Sequence, residues 1–269
     1  MENKDRIYDK ALKGKRIESL QAQLELLTEF KNNDTNSIDD LIDKMSERTK
    51  KIEEAINALE DSSFSGEAWD FSKEKEAGVL VEKESVLIKP FIPSDKDFYY
   101  SIEKQWASKY SSEEMFSIDN SILWDQTTHP FAFFCKLEIK GTPVGYIAIK
   151  DSRKDLWEVA AEFDKAYCYQ GYGPRCIPLF LKALEEITGR NVFRAKVEVD
   201  NYASQRCMEK IGAELVGLAT GILTSEEEQM RFEEENMDLI DEHMIRLAAQ
   251  TGVEPRNLLS HLLEYRIEL

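Results

Sequence analysis

The stretch Tyr169-Gln170-Gly171-Tyr172-Gly173-Pro174-Arg175 is followed, 28 residues after Gly173, by a run from Asn201 through Ser204 and Met208 to Gly212. A lone G-x-G constrains little. The pair, at this separation and in this order, fixes a sequence of elements: a glycine turn opening a helix, then a strand, then a second helix. Gly171 and Gly173 let the backbone bend tightly and approach another group without a Cβ in the way. Pro174 suits the first turn of a helix, where its φ is preset and its missing N–H has no intrahelical partner. Cys176, Ile177, Phe180, Leu181, Leu184 and Ile187 recur on one face, which predicts a helix from Gly173 to Ile187. Val192 to Val199 reads as the strand and Asn201 to Ile211 as the second helix, with Asn201 as its cap.

The chain has 269 residues, enough for one large domain or two modest ones, and 42% hydrophobic residues suffice for a proper core. Its formal charge of −17 argues against a nucleic-acid or anionic-membrane partner, either of which needs a basic face, and is compatible with cationic amines. Cys135, Cys168, Cys176 and Cys207 form no C-x-x-C, and His129, His243 and His261 are scattered, so neither a metal site nor a disulfide framework is expected. The first residues are charged, and no run approaches the roughly 18 apolar residues of a membrane span. The expectation is a reduced, cytoplasmic, soluble protein without a membrane partner.

Residues 1–62 read as an α-helical hairpin. Ile38, Ile42, Met45, Thr49, Ile52, Ile56 and Leu59 form a heptad seam, with Ser37 as a cap and Asp40 three residues later. Ile17, Leu20, Leu24 and Leu27 form a shorter seam, and the polar run 32–36 separates the two. Two such helices bury little by themselves. The seam is expected to pack on the rest of the chain, on a second copy as a homodimer, or on a protein partner. Residues 63–84 read as a connector pinned by Phe64, Trp69 and Phe71.

Residues 85–269 form the main domain. Val86 to Phe91 is a strand. A helix follows from Pro93 toward Tyr110, capped by Ser94 or Asp95. Phe131–Ile139 and Val144–Lys150 are strands joined by a turn at Lys140-Gly141-Thr142-Pro143, and Trp157 to Phe163 is a third. Glu214–Leu223 and Leu262–Leu269 are the last strands, separated by a helical insertion at about 225–259. An early hairpin and a late strand–helix–strand crossover give an α+β fold, a mixed sheet flanked by helices and preceded by the helical hairpin.

The chemistry begins at the glycine turn. A helix N-terminus presents free N–H donors and the positive end of its dipole, and so favours phosphate. Arg175 opposes that dipole; either a bound anion offsets the conflict or the side chain points to water. Asn201 and Ser204 form a cap, or a cap that also holds a ligand chain. Glu158 and Glu162 lie four residues apart on a strand and so share one face. Each is a structural carboxylate or a base.

From about Val86 to Leu269 these motifs resemble the GNAT superfamily of acyl-CoA N-acyltransferases, whose pyrophosphate signature is Arg/Gln-x-x-Gly-x-Gly/Ala. With Gly171 and Gly173 as the two glycines, the preceding strand and following helix fall in phase, and Cys168 stands where Arg or Gln is usual. With Gln170 leading, Gly173 matches but Arg175 replaces the last glycine and Lys165 falls in an apolar strand position; the first register is preferred. Asn201 to Gly212 is similar to the branch holding ribosomal-protein N-terminal acetyltransferases and many small-amine acetyltransferases. The resemblance implies acetyl-CoA as cosubstrate and a primary amine, on a small molecule or a protein N-terminus, as acceptor, attacking directly in a ternary complex. It implies pantetheine pairing with backbone near Phe163 and Lys165, and pyrophosphate at Cys168, Gln170, Gly171, Tyr172, Gly173, Pro174 and Arg175, with Asn201 and Ser204 beside them. Glu162, Glu158 and Tyr202 are the catalytic candidates. Met208 falls near the Tyr that protonates the leaving thiolate in many relatives, and Met has no proton to give; Tyr202 and Tyr167 are the substitutes. The other reading is a degenerate binding module of the same fold, working through the hairpin. The insertion segment Glu226–Glu242 either leans over the acceptor site or forms a solvated face.

Overall fold

The computed structural model describes Ile7, Ala11 and residues 68–106, 124–221 and 223–269. The expected hairpin of residues 1–62 lies outside the described residues except for Ile7 and Ala11. Within the expected connector, α1 (Ser72–Glu76) and strand β1 (Val81–Lys83) are formed, so the sheet begins before Val86. Phe71 is fully buried and stacks on Phe133 at 4.7 Å and edge-on to Trp157 at 5.4 Å, which pins this stretch to the core. Full burial of a side chain of this size contributes roughly 1.5–3 kcal/mol.

The remaining strands are β2 (Val86–Pro90), β3 (Phe133–Ile139), β4 (Thr142–Ile149), β5 (Trp157–Phe163), β6 (Val192–Val197), β7 (Glu214–Thr220) and β8 (His261–Glu268). The turn between β3 and β4 is tighter than expected. Lys140 and Gly141, with φ of 51° and 77°, take the left-handed geometry of a two-residue hairpin turn, and Thr142 already pairs with Ile139. The sheet order is β1-β2-β3-β4-β5-β6-β8-β7. β5 and β6 pair in parallel and the other neighbours antiparallel. The α+β reading holds: helices cover both faces of a mixed sheet.

On one face lies α3 (Tyr172–Thr188), which buries Cys176, Ile177, Phe180, Leu181 and Leu184 of the predicted stripe against Phe133, Trp157 and Phe193, while Ile187 at its end is exposed. On the other face lies α2 (Lys96–Trp106). It buries Tyr99 and Ile102 against Tyr146 and Ala148, with Phe91, Phe134 and Trp124 packed around them. The cap of α2 differs from the expectation. Asp95 is buried and turns back to accept from Ile92 N at 3.1 Å, while pairing with Lys136.

α4 (Tyr202–Lys210) starts at Asn201, whose Oδ1 accepts from Ser204 N at 3.1 Å. The insertion contains α5 (Glu226–Glu235), α6 (Glu242–Thr251) and α7 (Asn257–Ser260). Glu233 departs from a solvated face. It is 3% exposed and holds Ser260 Oγ and Asn257 Nδ2, clasping α5 to the start of β8. Ile7 and Ala11 pack beside the ends of β6 and β8, and Ile7 N donates to Asp200 Oδ2 at 3.0 Å.

Candidate active site

Two parallel strands that stop pairing leave backbone groups without a ladder partner. β5 and β6 are matched only at Trp157↔Phe193 and Glu158↔Arg194. Lys150 N donates to Glu158 O at 3.2 Å, and Asp164 N to Val144 O at 2.9 Å. Antiparallel alternation therefore turns the backbone of Glu158, Ala160, Glu162 and Asp164 toward β4, and that of Val159, Ala161 and Phe163 toward the gap. The gap-facing edge can pair with an extended chain as another strand would.

At Phe163 and Lys165 two of the expected backbone groups already have partners within the chain. Trp106 Nε1 donates to Phe163 O at 2.8 Å, and Lys165 N donates to Gln105 Oε1 at 2.9 Å. Both groups are held by α2, with Lys165 Nζ 5.0 Å above the Trp106 ring. Of the gap-facing groups, those of Ala161 and the Phe163 N–H remain for a ligand chain. Opposite Phe163 stands Gly145, where a Cβ would sit 2.2 Å from Glu162 O. Only glycine admits so close an approach, and the sequence reading missed it.

The two glycines of the turn do different work. Gly171 is the N-cap of α3 at φ 80°, makes no side-chain cap, and faces open space. The first N–H groups of α3 are thus left for an anion. Gly173 is packed closely on α4: a Cβ there would meet Cys207 Sγ at 2.8 Å, so the Cys207 side chain would have to shift. Tyr169, at φ 62°, and Gln170 are exposed on the turn, and Gln170 Nε2 donates to Ala166 O at 2.8 Å. Tyr172 is half-buried against Tyr167, and Pro174 lies in the first turn of α3. The Arg175 side chain lies at the surface. It pairs with Glu84 at 2.8 Å and Ser85 at 3.2 Å.

The candidate acids and bases separate clearly. Glu158 sits between Lys150 at 2.8 Å, Lys196 at 3.6 Å and Arg194 at 3.8 Å. Burial pushes its carboxyl up, but these cations outweigh burial and hold it below the usual range. A carboxylate so paired is a poor proton acceptor. Glu162 stands directly opposite Tyr146 on the face covered by α2. Tyr202 is 42% exposed at the start of α4, donates to Asp241 Oδ2 at 2.9 Å, and meets the His243 ring edge-on at 4.6 Å. Burial and the Asp241 partner push its hydroxyl up to about 12, which makes it a weaker acid than a free tyrosine. Met208 is buried in the core and supplies no proton. Burial, with Glu162 and Asp164 nearby, raises the Cys168 thiol, which speaks against a nucleophile there.

One carboxylate escaped the sequence reading. Glu103, on α2, accepts from Tyr146 Oη at 2.6 Å. Burial raises its carboxyl above the usual range, and the Tyr146 hydrogen bond only partly opposes this. Gln205, 3% exposed, ties α4 to the end of β6 through Val199 O at 2.6 Å and meets His243 Nε2 at 2.8 Å. Among the described residues no group of three or more His, Cys, Asp or Glu side chains is placed to hold a metal, and no helix is long and apolar enough to cross a membrane.

Residues 85–214 match the model of the acetyltransferase (GNAT) domain family. No curated protein matches the chain. Among solved structures, the chain is similar to mutant forms of the spermidine/spermine N-acetyltransferase of Vibrio cholerae, at 10% identity and a TM-score of 0.47, over 69% of this chain and 95% of that one. The ribosomal-protein-S5-alanine acetyltransferase of Vibrio fischeri gives 12% and 0.45, over 70% and 95%. The protein yncA of Salmonella typhimurium, solved with its cofactor acetyl-CoA, gives 13% and 0.44, over 69% and 95%. Likenesses of this size carry no argument about substrate.

Proposed function

We propose, from the premise that residues 85–214 form a GNAT acetyltransferase domain and that acetyl-CoA is the cosubstrate of this family, that the chain transfers an acetyl group to a primary amine, of a small molecule or a protein N-terminus. The observation that carries this reading is the parting of β5 from β6 after Glu158↔Arg194, beside a helix whose N-cap, Gly171, leaves its first N–H groups uncapped. The N-terminus of α3 would take the pyrophosphate, and the Ala161 backbone with the Phe163 N–H would hold the pantetheine. Ordered donors aimed at the thioester carbonyl would stabilise the charge that develops on its oxygen. The neutral amine attacks the thioester carbon directly, a C–N bond forms, the C–S bond breaks, and CoA leaves as the thiol. A formal net charge of −17 favours the approach of a cationic acceptor.

The test is calorimetric titration of acetyl-CoA, followed by an amine screen with a free-thiol readout. Binding with turnover supports the enzyme. Binding without turnover on a broad panel supports the degenerate binding module, which the buried Met208 at the usual acid position favours. Absence of binding rejects both.

A further inference from the structure

We propose that Glu103 is the general base that takes the proton from the acceptor ammonium, and that Tyr146 is the residue that positions it. The assignment rests on the acetyltransferase reading and adds to it a residue from outside the β5 strand.

The argument is one of placement. Glu103 and Trp106 are three residues apart on α2, and so are neighbours on one side of the helix, about 5–6 Å apart at Cβ. Trp106 reaches the carbonyl of Phe163, the last residue of β5, and Gln105 accepts from Lys165 N just beyond it and donates to Asp164 Oδ2 at 2.9 Å. The helix turn that carries Glu103 is therefore fastened at the open end of the β5–β6 gap. Tyr146 stands opposite Glu162 in the register, next to the Gly145↔Phe163 pair, and its hydroxyl donates to Glu103 Oε1. Tyr146 is 6% exposed, with Phe91, Tyr99 and Phe134 ringed around it at 5.4–6.0 Å between ring centroids, so its hydroxyl has little freedom. Glu158, the alternative on β5, is neutralised by three cations, whereas Glu103 lies in an aromatic surrounding that favours its protonated form. The charged and titratable groups facing Glu103 are Tyr146 and Lys150 from β4, Glu162 from β5 through their shared neighbour Tyr146, and Tyr99 from α2.

In the step itself, the ammonium gives one proton to the Glu103 carboxylate, leaving a neutral amine and a carboxyl. The nitrogen lone pair forms the C–N bond as the C–S bond breaks and its electrons stay on sulfur. The second proton shed by nitrogen balances the thiolate as CoA thiol, and Glu103 returns its proton to solvent.

The experiment compares the full chain with Glu103→Gln, Tyr146→Phe and Glu162→Gln, using an alkyl diamine and a short peptide with a free α-amino group as acceptors. Gln keeps the acceptor oxygen for Tyr146, so the fold is retained; far-UV dichroism and acetyl-CoA calorimetry check this, with Kd expected within twofold of wild type. The wild-type pH profile of kcat/KM is expected to be bell-shaped, limited by Glu103 on the acid side and by the ammonium on the alkaline side. Glu103→Gln is expected to lose roughly 10²- to 10⁴-fold near neutral pH. Its residual rate should rise steadily with the fraction of free amine. Tyr146→Phe removes a hydrogen bond that lowers the Glu103 pKa, so its acid limb should move to higher pH. A bell-shaped profile retained in Glu103→Gln and lost in Glu162→Gln would overturn the assignment in favour of Glu162. Acetyl-CoA binding with no turnover by wild type would overturn the acetyltransferase reading, and the assignment with it.

Discussion

The indole N–H of Trp106 lies 2.8 Å from the carbonyl oxygen of Phe163 and occupies a group that would otherwise face the β5–β6 gap. The contact joins α2, which carries Glu103, to the end of the strand that faces the proposed thioester position. Trp106→Phe keeps a ring under Lys165 but leaves the carbonyl without its donor. We expect a loss of about 1–3 kcal/mol, the cost of an unsatisfied buried polar group. The KM of the amine should rise more than that of acetyl-CoA. Chemical denaturation and steady-state kinetics check both.

Gly171 permits a cleaner test of the anion seat than Gly173. A side chain at Gly173 strikes Cys207, whereas Gly171 faces open space. Asp and Asn both tolerate the left-handed backbone and both cap helices well. Gly171→Asp should therefore fold at least as well as Gly171→Asn while setting a negative charge at the N-terminus of α3. Acetyl-CoA affinity by calorimetry should fall at least tenfold further in the Asp variant than in the Asn variant. Equal affinities would remove the pyrophosphate from this turn.

Glu158 is predicted to support stability and not proton transfer. Its folded pKa is depressed, so its contribution is present above the unfolded value of 4.5 and is lost as pH falls through the folded one. Glu158→Gln should cost roughly 1.5–3 kcal/mol at pH 7, the range for hydrogen bonds to charged groups. The difference from wild type should vanish at acid pH. Urea titrations across pH test this, and the acid limb of kcat/KM should survive the substitution.

Glu103 carries the opposite sign. Its folded pKa is raised, so it favours folding at low pH, and this advantage disappears as pH rises through the folded value. Glu103→Gln should match wild type at acid pH and be the more stable of the two at pH 8, by about 0.5–2 kcal/mol, as is common where function retains a strained group. Thermal melts at both pH values would show it. Equal stability at pH 8 would argue that the carboxylate is well solvated.

The insertion offers a contrast within one helix. Glu233 is buried on Ser260 and Asn257, while Glu234 and Glu235 are exposed. Glu233→Ala should cost about 1–3 kcal/mol by leaving those partners unsatisfied. Glu234→Ala and Glu235→Ala should stay within about 0.5 kcal/mol. Denaturation midpoints of the three variants decide.

The sequence alone determined the parts whose signal is local. The apolar stripe from Cys176 to Leu184 needs only helical spacing, and the Asn201 cap only its residue type and place. The glycine turn, with Pro174 behind it, likewise announces where α3 begins, within one residue of the observed start at Tyr172. Tertiary structure decided everything that depends on register across the sheet. Glu103 and Tyr146 are 43 residues apart and meet because α2 packs over β4. Gly145 had no signal of its own until β5 brought the Glu162 carbonyl against it. Gly173 reads as a ligand glycine from its motif, and its close packing on Cys207 shows only once α4 returns beside it. The partners of Glu158, Arg175 and Glu233 were hidden for the same reason. A charged side chain shows its type in the sequence, but whether it is paired, buried or free is set by neighbours that only the folded chain supplies.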